Sequence, residues 1–136
     1  MTVDLTQLVL PEARAEKARA ALRLAVKQAR DQAIGAGLVV EGLPVATDDL
    51  SQGRLMGAAL AAVIDPGAEV QWKLPDGRFV TLSGPQILTL AQKVRAHVQG
   101  CFDHEAALLA AIAAGETPDP AQGWPDRGQS DQASSA

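Results

Sequence analysis

Cysteine, aromatic side chains and long hydrophobic runs are all scarce in this sequence. The one cysteine, Cys101, cannot form a disulfide within the chain and is compatible with a reducing compartment. Two Trp, two Phe and no Tyr leave the aliphatic residues to supply most of the hydrophobic stabilisation. No apolar run reaches the length of about 18 residues that a membrane-spanning helix needs, so no such helix is predicted.

An excess of positive charge is also absent. Twelve Lys and Arg residues against 16 Asp and Glu give a formal net charge of −4, whereas proteins that bind nucleic acid in bulk need dense Lys and Arg. Apolar residues make up 47% of the 136 residues, but many are alanine, which buries little area. We expect one domain with a modest core. An alanine-rich helix with a thin apolar stripe often needs a neighbouring chain to complete that core.

Two long helices are predicted, one towards each end of the chain. From Glu12 to Ile34 good helix formers predominate, and Gly35 follows as a terminator. The second helix is expected from about Pro85 to Ala114, because Ser83 and Gln86 have the spacing of a capping box. About thirty residues make a helix of about 45 Å, which is longer than so small a domain can cover. Part of this helix should therefore project or pack against another subunit.

A shorter helix and two hairpins are predicted between the long helices. Several N-cap residues precede a helix from about Leu50 to Ile64. Its predicted apolar face consists of Met56, Leu60, Val63 and Ile64, and the small residues Gly57, Ala58 and Ala59 are expected to let another element approach closely. One hairpin is expected within 38–46 and the other within 70–82, around the turn Pro75-Asp76-Gly77. The predicted fold class is therefore α+β, with three helices and two small β-hairpins in the order α-ββ-α-ββ-α.

Composition divides the chain into three parts. Residues 1–36 are predicted to form an N-terminal helical oligomerisation segment, and residues 37–114 a small α+β domain that ends in the long helix. Residues 115–136, rich in Pro, Gly and Ser, are predicted to be a flexible, disordered tail, because so polar a segment cannot offset its ordering entropy by burial. Trp124 stands out within this tail as a candidate docking anchor.

Apolar residues at heptad spacing predict where the long helices associate. The predicted self-association interface consists of Leu22, Ala25, Ala29, Val94, Val98, Cys101, Leu108 and Ile112. The predicted core consists of Trp72, Phe79, Val80, Leu82, Leu60 and Ile87. In this interpretation apolar helix packing joins the subunits, and the hairpins act as a rigid cap that fixes the direction of the helices.

Candidate catalytic and metal-binding residues are confined to the last helix. His97, Cys101 and His104 lie at i, i+4 and i+7, with Glu105 close by, which is the start of a zinc ligand set. No second Cys or His cluster completes four ligands, and the alternative is a half-buried seam in which Cys101 acts as a small hydrophobe. A Cys–His nucleophile would lack a third orienting group and an oxyanion site. The sequence predicts no enzyme, no metal site and no cofactor.

Two further groups of residues each have two interpretations. The first helix carries a basic stripe, which either docks on an acidic partner or is an ordinary solvated face, and the second interpretation is favoured. The stripe consists of Arg19, Arg23 and Lys27. The hairpin rings Trp72 and Phe79 would suit nucleobase stacking, but in a domain with so few aromatic residues a place in the core is favoured.

Several short motifs occur along the chain in a characteristic order. They are RDQAIGAG at 30–37, the strand pair at 39–45, ATDDLSQ at 46–52, Gly57-Ala58-Ala59, Trp72 with Asp76-Gly77 and Val80-Thr81-Leu82, and then Gln86, His97-Val98-Gln99 and Cys101-Phe102 in the last helix. Over roughly residues 25–114 the sequence resembles an uncharacterised domain family that recurs in bacteriophage tail-fibre and tail-assembly proteins and their prophage relatives.

The resemblance implies a tailed-phage or prophage particle, with the protein at the fibre or baseplate end. We therefore expect a tail structural protein, a fibre- or baseplate-associated adaptor subunit that forms a homo-oligomer through its helices. A trimer is expected because phage fibres have threefold symmetry. The expected partners are other phage tail proteins, without nucleic acid or membrane insertion, and the expected location is the virion after synthesis in the bacterial cytoplasm. The alternative is a tail-fibre assembly chaperone that is not retained in the virion.

Overall fold

The computed structural model describes residues 10–128, and within that range the chain forms three α-helices and two antiparallel β-hairpins. Their order, α-ββ-α-ββ-α, confirms the α+β fold class predicted from the sequence. The elements are α1 (Pro11–Gly35), β1 (Leu38–Val40), β2 (Leu43–Val45), α2 (Asp49–Ile64), β3 (Glu69–Lys73), β4 (Phe79–Ser83) and α3 (Gly84–Ala113).

Helix α3 is the element on which the other two helices pack. Leu55 of α2 shares a core cluster with Ile87 in the first half of α3. Val26 of α1 packs with Leu108 and Ile112 in the second half. Further along α1, the Ala33 carbonyl oxygen lies 3.0 Å from Nε2 of His97, which is earlier in α3, so α1 runs antiparallel to α3. The sequence predicted that part of so long a helix would project or pack against another subunit. In the structure α2 and α1 cover its two halves in succession.

Local capping follows the sequence closely. The backbone N–H of Gln86 donates to Ser83 Oγ at 3.3 Å, and the Ser83 N–H donates to Gln86 Oε1 at 2.8 Å, which confirms the predicted capping box of α3. Asp48 caps α2 by accepting from the Ser51 N–H at 3.2 Å. Gly84 lies close to the turn that follows α2. A Cβ at this position would be 2.7 Å from the Pro66 carbonyl oxygen.

Both hairpins contribute buried side chains to the core. β1 and β2 pair with Leu38 opposite Val45, and their turn places Gly42 at φ 83°, a conformation that glycine adopts at low cost. β3 and β4 pair with Trp72 opposite Val80. In both hairpins alternate side chains face the helices, as expected from the period of two along a strand.

Four of the six predicted core residues lie in or against the core: Trp72, Val80, Leu82 and Ile87. The other two do not, since Leu60 is 63% exposed and Phe79 is 61% exposed. Phe79 precedes Val80 on β4, and adjacent residues of a strand point to opposite faces, so both cannot face the core. The position of Leu60 follows from the orientation of α2, described below.

Residues 116–128, which belong to the predicted flexible tail, fold back over the helices and are called the strap here. Trp124 packs against the cluster formed by α1 and α3, and its Nε1 donates to the Pro120 carbonyl oxygen at 2.8 Å. This ring supplies apolar burial that the composition of the segment as a whole does not suggest. The rest of the predicted tail, 129–136, and residues 1–9 lie outside the described residues.

The strap also closes an edge of the first hairpin. The Val39 N–H, on the side of β1 away from β2, donates to the Arg127 carbonyl oxygen at 2.8 Å. The Arg127 guanidinium donates to the Ala36 carbonyl oxygen at 2.7 Å, just after the end of α1. These two bonds satisfy backbone groups that a strand edge and a helix end otherwise leave open.

Candidate interaction surface

Helix α2 exposes an apolar surface on the side that faces away from α3. Among its exposed residues only Asp49 and Arg54 are charged. Five large apolar side chains on this side are between 41% and 77% exposed: Leu50, Met56, Leu60, Val63 and Ile64. Gly53 and Gly57 lie between them, and a Cβ at either glycine would meet no atom within 4 Å. These seven residues are called the outer face of α2.

The inner face of α2, which contacts α3, is different from the one that the sequence predicted. It consists of Leu55, Ala58, Ala59 and Ala62. The prediction that the large apolar residues Met56, Leu60, Val63 and Ile64 form the packing face is therefore wrong. Ala58 and Ala59, predicted to let another element approach closely, do pack against the core. Because α2 is apolar on nearly all sides, its periodicity does not define one buried stripe. The alanine side allows α2 to approach the residues of α3 closely, and the larger side chains stay outside.

The apolar surface continues from α2 onto α3. Phe102, 43% exposed, lines a shallow groove together with Met56 and Val98. The guanidinium of Arg30 lies 5.5 Å from the centre of the Phe102 ring, within the range of a cation–π contact. A continuous exposed apolar patch marks an interaction site, whereas single exposed apolar residues are common on protein surfaces.

The residues predicted for self-association lie inside the chain or in its α1–α3 seam. Four of them are buried: Val94, Cys101, Leu108 and Ile112. The other four are half-buried: Leu22, Ala25, Ala29 and Val98. The heptad pattern was therefore a real packing signal, but the two long helices are antiparallel neighbours within one chain. The four buried residues leave no surface for a second chain.

The His97–Cys101 pair is a buried structural contact. Cys101 Sγ lies 3.8 Å from His97 Nε2, which is also 3.0 Å from the Ala33 carbonyl oxygen of α1. Burial raises the pKa of the Cys101 thiol, so the reactive thiolate is disfavoured. His97 Nδ1 is buried without a hydrogen-bond partner among the described residues. His97 joins α3 to α1 through the Ala33 carbonyl oxygen.

His104 is separated from that pair and belongs to the strap contact. Its Nε2 lies 2.7 Å from the Gln122 carbonyl oxygen, and its ring meets Trp124 edge-on with the ring centres 4.6 Å apart. Within residues 10–128 no group of three or more His, Cys, Asp and Glu side chains is placed to hold a metal ion. Trp124, the candidate docking anchor, is thus engaged within its own chain.

The basic stripe on α1 is partly neutralised. Arg19 and Arg23 both bind Glu16, at 3.0 and 2.7 Å, and the hydrogen bonds from Arg23 and Arg19 lower the pKa of Glu16. Such exposed pairs contribute little to stability.

None of the helices within residues 10–128 has the apolar length to cross a bilayer.

Comparison with protein-family models assigns the chain to a family. A family model described as a domain of unknown function matches residues 17–123, from the second turn of α1 into the strap. The chain belongs to the DUF4376 family. The DUF4376 match includes all of α2 and α3 and both hairpins. No curated protein and no solved structure matches the chain.

Within this DUF4376 domain, sequence reasoning missed the outer face of α2 and the contacts of the strap. The signal for the first was present, because a helix with apolar residues all round is expected to be covered on all sides. The strap offered only Trp124 as a signal, since the two hydrogen bonds that hold it to β1 and α1 involve backbone carbonyls.

Proposed function

We propose that this protein is a structural subunit of a bacteriophage or prophage tail, a fibre- or baseplate-associated adaptor that acts through protein–protein association. The tail context comes from the resemblance of its motifs to domains in tail-fibre and tail-assembly proteins. The observation that carries the association is α2, which is apolar on both sides and covered on one. A helix that is apolar on nearly all sides gains stability when its exposed apolar side is also covered.

The polar side chains of α3 support a structural role. His97 and His104, its two histidines, each have a ring nitrogen near a backbone carbonyl oxygen of another segment, Ala33 and Gln122 respectively. Glu105 is held by Arg30 of α1. These groups fix α1 and the strap to α3, and the surface of α2 remains for partners.

Quantitative mass spectrometry of purified particles tests this proposal. Wild-type protein should be present at a fixed copy number per particle. Leu60→Glu, on the outer face, should be depleted from particles, whereas Ala107→Glu, an exposed position of α3, should be incorporated normally. Presence in assembly intermediates but absence from finished particles would identify the chaperone alternative. Absence from both would refute the proposal.

A further inference from the structure

The outer face of α2 has the residue spacing of a helix-pairing seam. Successive intervals of three, four, three and four residues separate Leu50, Gly53, Gly57, Leu60 and Ile64. All five are exposed within the chain, and the spacing is that of the a and d positions of a heptad repeat. The seam spans 15 residues, about 22 Å, and none of its five residues is charged.

We propose that a second copy of this chain covers the outer face of α2, with the two α2 helices parallel across a twofold axis. This inference rests on the proposed association and names the partner. In such a pair each seam residue meets the same residue of the partner, so Leu50, Leu60 and Ile64 each form an apolar layer. At Gly53 and Gly57 the two backbones can approach closely, because neither glycine is covered within its own chain.

The two charges on the exposed side of α2 favour this orientation. With the seam at a and d, Asp49 occupies a g position and Arg54 the following e position. In parallel pairs a g residue lies beside the e residue five positions later on the other helix, and charges there set the orientation. Asp49 therefore lies beside the partner's Arg54, twice per dimer. Met56 and Ala61 occupy the next g and e positions. Met56 therefore lies beside the partner's Ala61, which covers a further exposed apolar side chain.

Two helices fit the seam better than three. Around a threefold axis the glycine layers would leave an unfilled channel, and an unfilled apolar space is destabilising. In a pair, the space left at each glycine layer is smaller. The trimer expected from the symmetry of phage fibres is therefore not the arrangement that this seam favours.

Segments of the same chain outside the described residues are poor occupants. Residues 129–136 contain no Leu, Ile, Val, Met or aromatic residue. Residues 1–9 precede Pro11, which is about 36 Å along α1 from Gly35, whereas nine extended residues span only about 30 Å. Since α1 covers the second half of α3 and α2 the first, Pro11 lies towards the end of α3 that is away from α2.

Sedimentation equilibrium over a range of concentrations tests the dimer. Because the seam is shorter than a standard interface, we expect reversible association with a Kd on the order of micromolar, approaching twice the monomer mass of 14.1 kDa. Leu60→Glu should weaken it by about a hundredfold or more, since both copies lose a buried leucine. Ala107→Glu should not change it. A wild-type monomer at millimolar concentration, a trimer, or an unaltered Leu60→Glu dimer would overturn the proposal.

Disulfide crosslinking tests the orientation in a Cys101→Ala background. The variants Leu50→Cys and Leu60→Cys should each crosslink to an identical chain. When the two variants are mixed, almost no crosslink should join position 50 of one chain to position 60 of the other. Ala107→Cys is the control that should remain uncrosslinked. A mixed crosslink alone would indicate antiparallel helices and overturn the parallel arrangement; no crosslink at either position would overturn the seam.

Charge reversal provides a second measurement of orientation. Arg54→Asp should weaken dimerisation about threefold to tenfold, because Asp49 then faces a like charge. The double variant Asp49→Arg/Arg54→Asp should recover association, and failure to recover would count against parallel pairing. These outcomes are independent of the particle census. If the protein is present in particles but does not crosslink at position 50 or 60, only the pairing is refuted. If the protein dimerises but is absent from particles and assembly intermediates, only the tail role is refuted.

Discussion

Arg30 and Glu105 lie 75 residues apart, and Nη1 of Arg30 donates to both carboxylate oxygens of Glu105, at 2.8 and 3.0 Å. Hydrogen bonds to the carboxylates of Asp31 and Glu105 raise the pKa of Arg30. The Arg30 and Glu105 side chains are only 20% and 15% exposed, so this ion pair fixes α1 to α3 in partly desolvated surroundings. Removing Glu105 leaves Arg30 with Asp31 alone, and the link between α1 and α3 is lost.

Glu105→Gln should lower the free energy of unfolding by about 1–2 kcal/mol, because Arg30 then keeps only the more exposed Asp31 as a charged partner. Urea denaturation followed by circular dichroism measures this. Glu16→Gln is the matched control, since it removes the exposed pairs with Arg19 and Arg23 and should have a smaller effect. Equal losses in the two variants would contradict the structural role of the Arg30–Glu105 pair.

Two leucines of α2 should respond very differently to truncation. Leu55 is fully buried and Leu60 is 63% exposed. Leu55→Ala should cost about 2–4 kcal/mol in the free energy of unfolding, because it leaves a cavity against α3. Leu60→Ala should change it by less than about 0.5 kcal/mol when the protein is dilute. Thermal and urea denaturation of both variants decides the orientation of α2, and the reverse order would show that its inner face has been misassigned.

The strap should protect β1 from solvent exchange. Trp124→Ala should destabilise the chain by about 1–3 kcal/mol through lost burial and should speed hydrogen exchange at the Val39 amide, which donates to Arg127. Gln122→Ala is the control, because the exposed Gln122 uses only its backbone carbonyl in the contact with His104. Unaltered exchange at Val39 in the Trp124 variant would show that the ring does not hold the strap in place.

Acid should weaken the cap of α2. Hydrogen bonds from Ser51 lower the pKa of Asp48, so its stabilising contribution is present above the pKa of the unfolded state and is lost as pH falls through the folded pKa. Below about pH 4 the wild type should lose stability more steeply than Asp48→Asn, which keeps a capping side chain that does not titrate.

Denaturation at several pH values measures the two slopes. Their difference isolates Asp48, because Glu16 and Asp76, whose pKa values are also lowered, are present in both proteins. Identical slopes would contradict the role of Asp48 as an ionised cap.

The order of elements could be read from the sequence because it depends on residues close together in the chain. Ser83 and Gln86 specify the start of α3, and Gly42 and Gly77, both at positive φ, specify the hairpin turns. The heptad pattern of α1 and α3 predicted an interface between subunits, but its residues lie within one chain. The sequence could not show that the two surfaces meet within one chain, since periodicity identifies an apolar face but not its partner.

The sequence by itself determined the three helices, the two hairpins and their caps, because short-range hydrogen bonding and periodicity specify them. The tertiary structure alone decided which side of α2 is covered and which residues are left for a partner. A helix that is apolar all round has no inner face until another element packs against it. Here the alanine side met α3, since small side chains allow the closest approach, and Leu50, Leu60 and Ile64 were left outside.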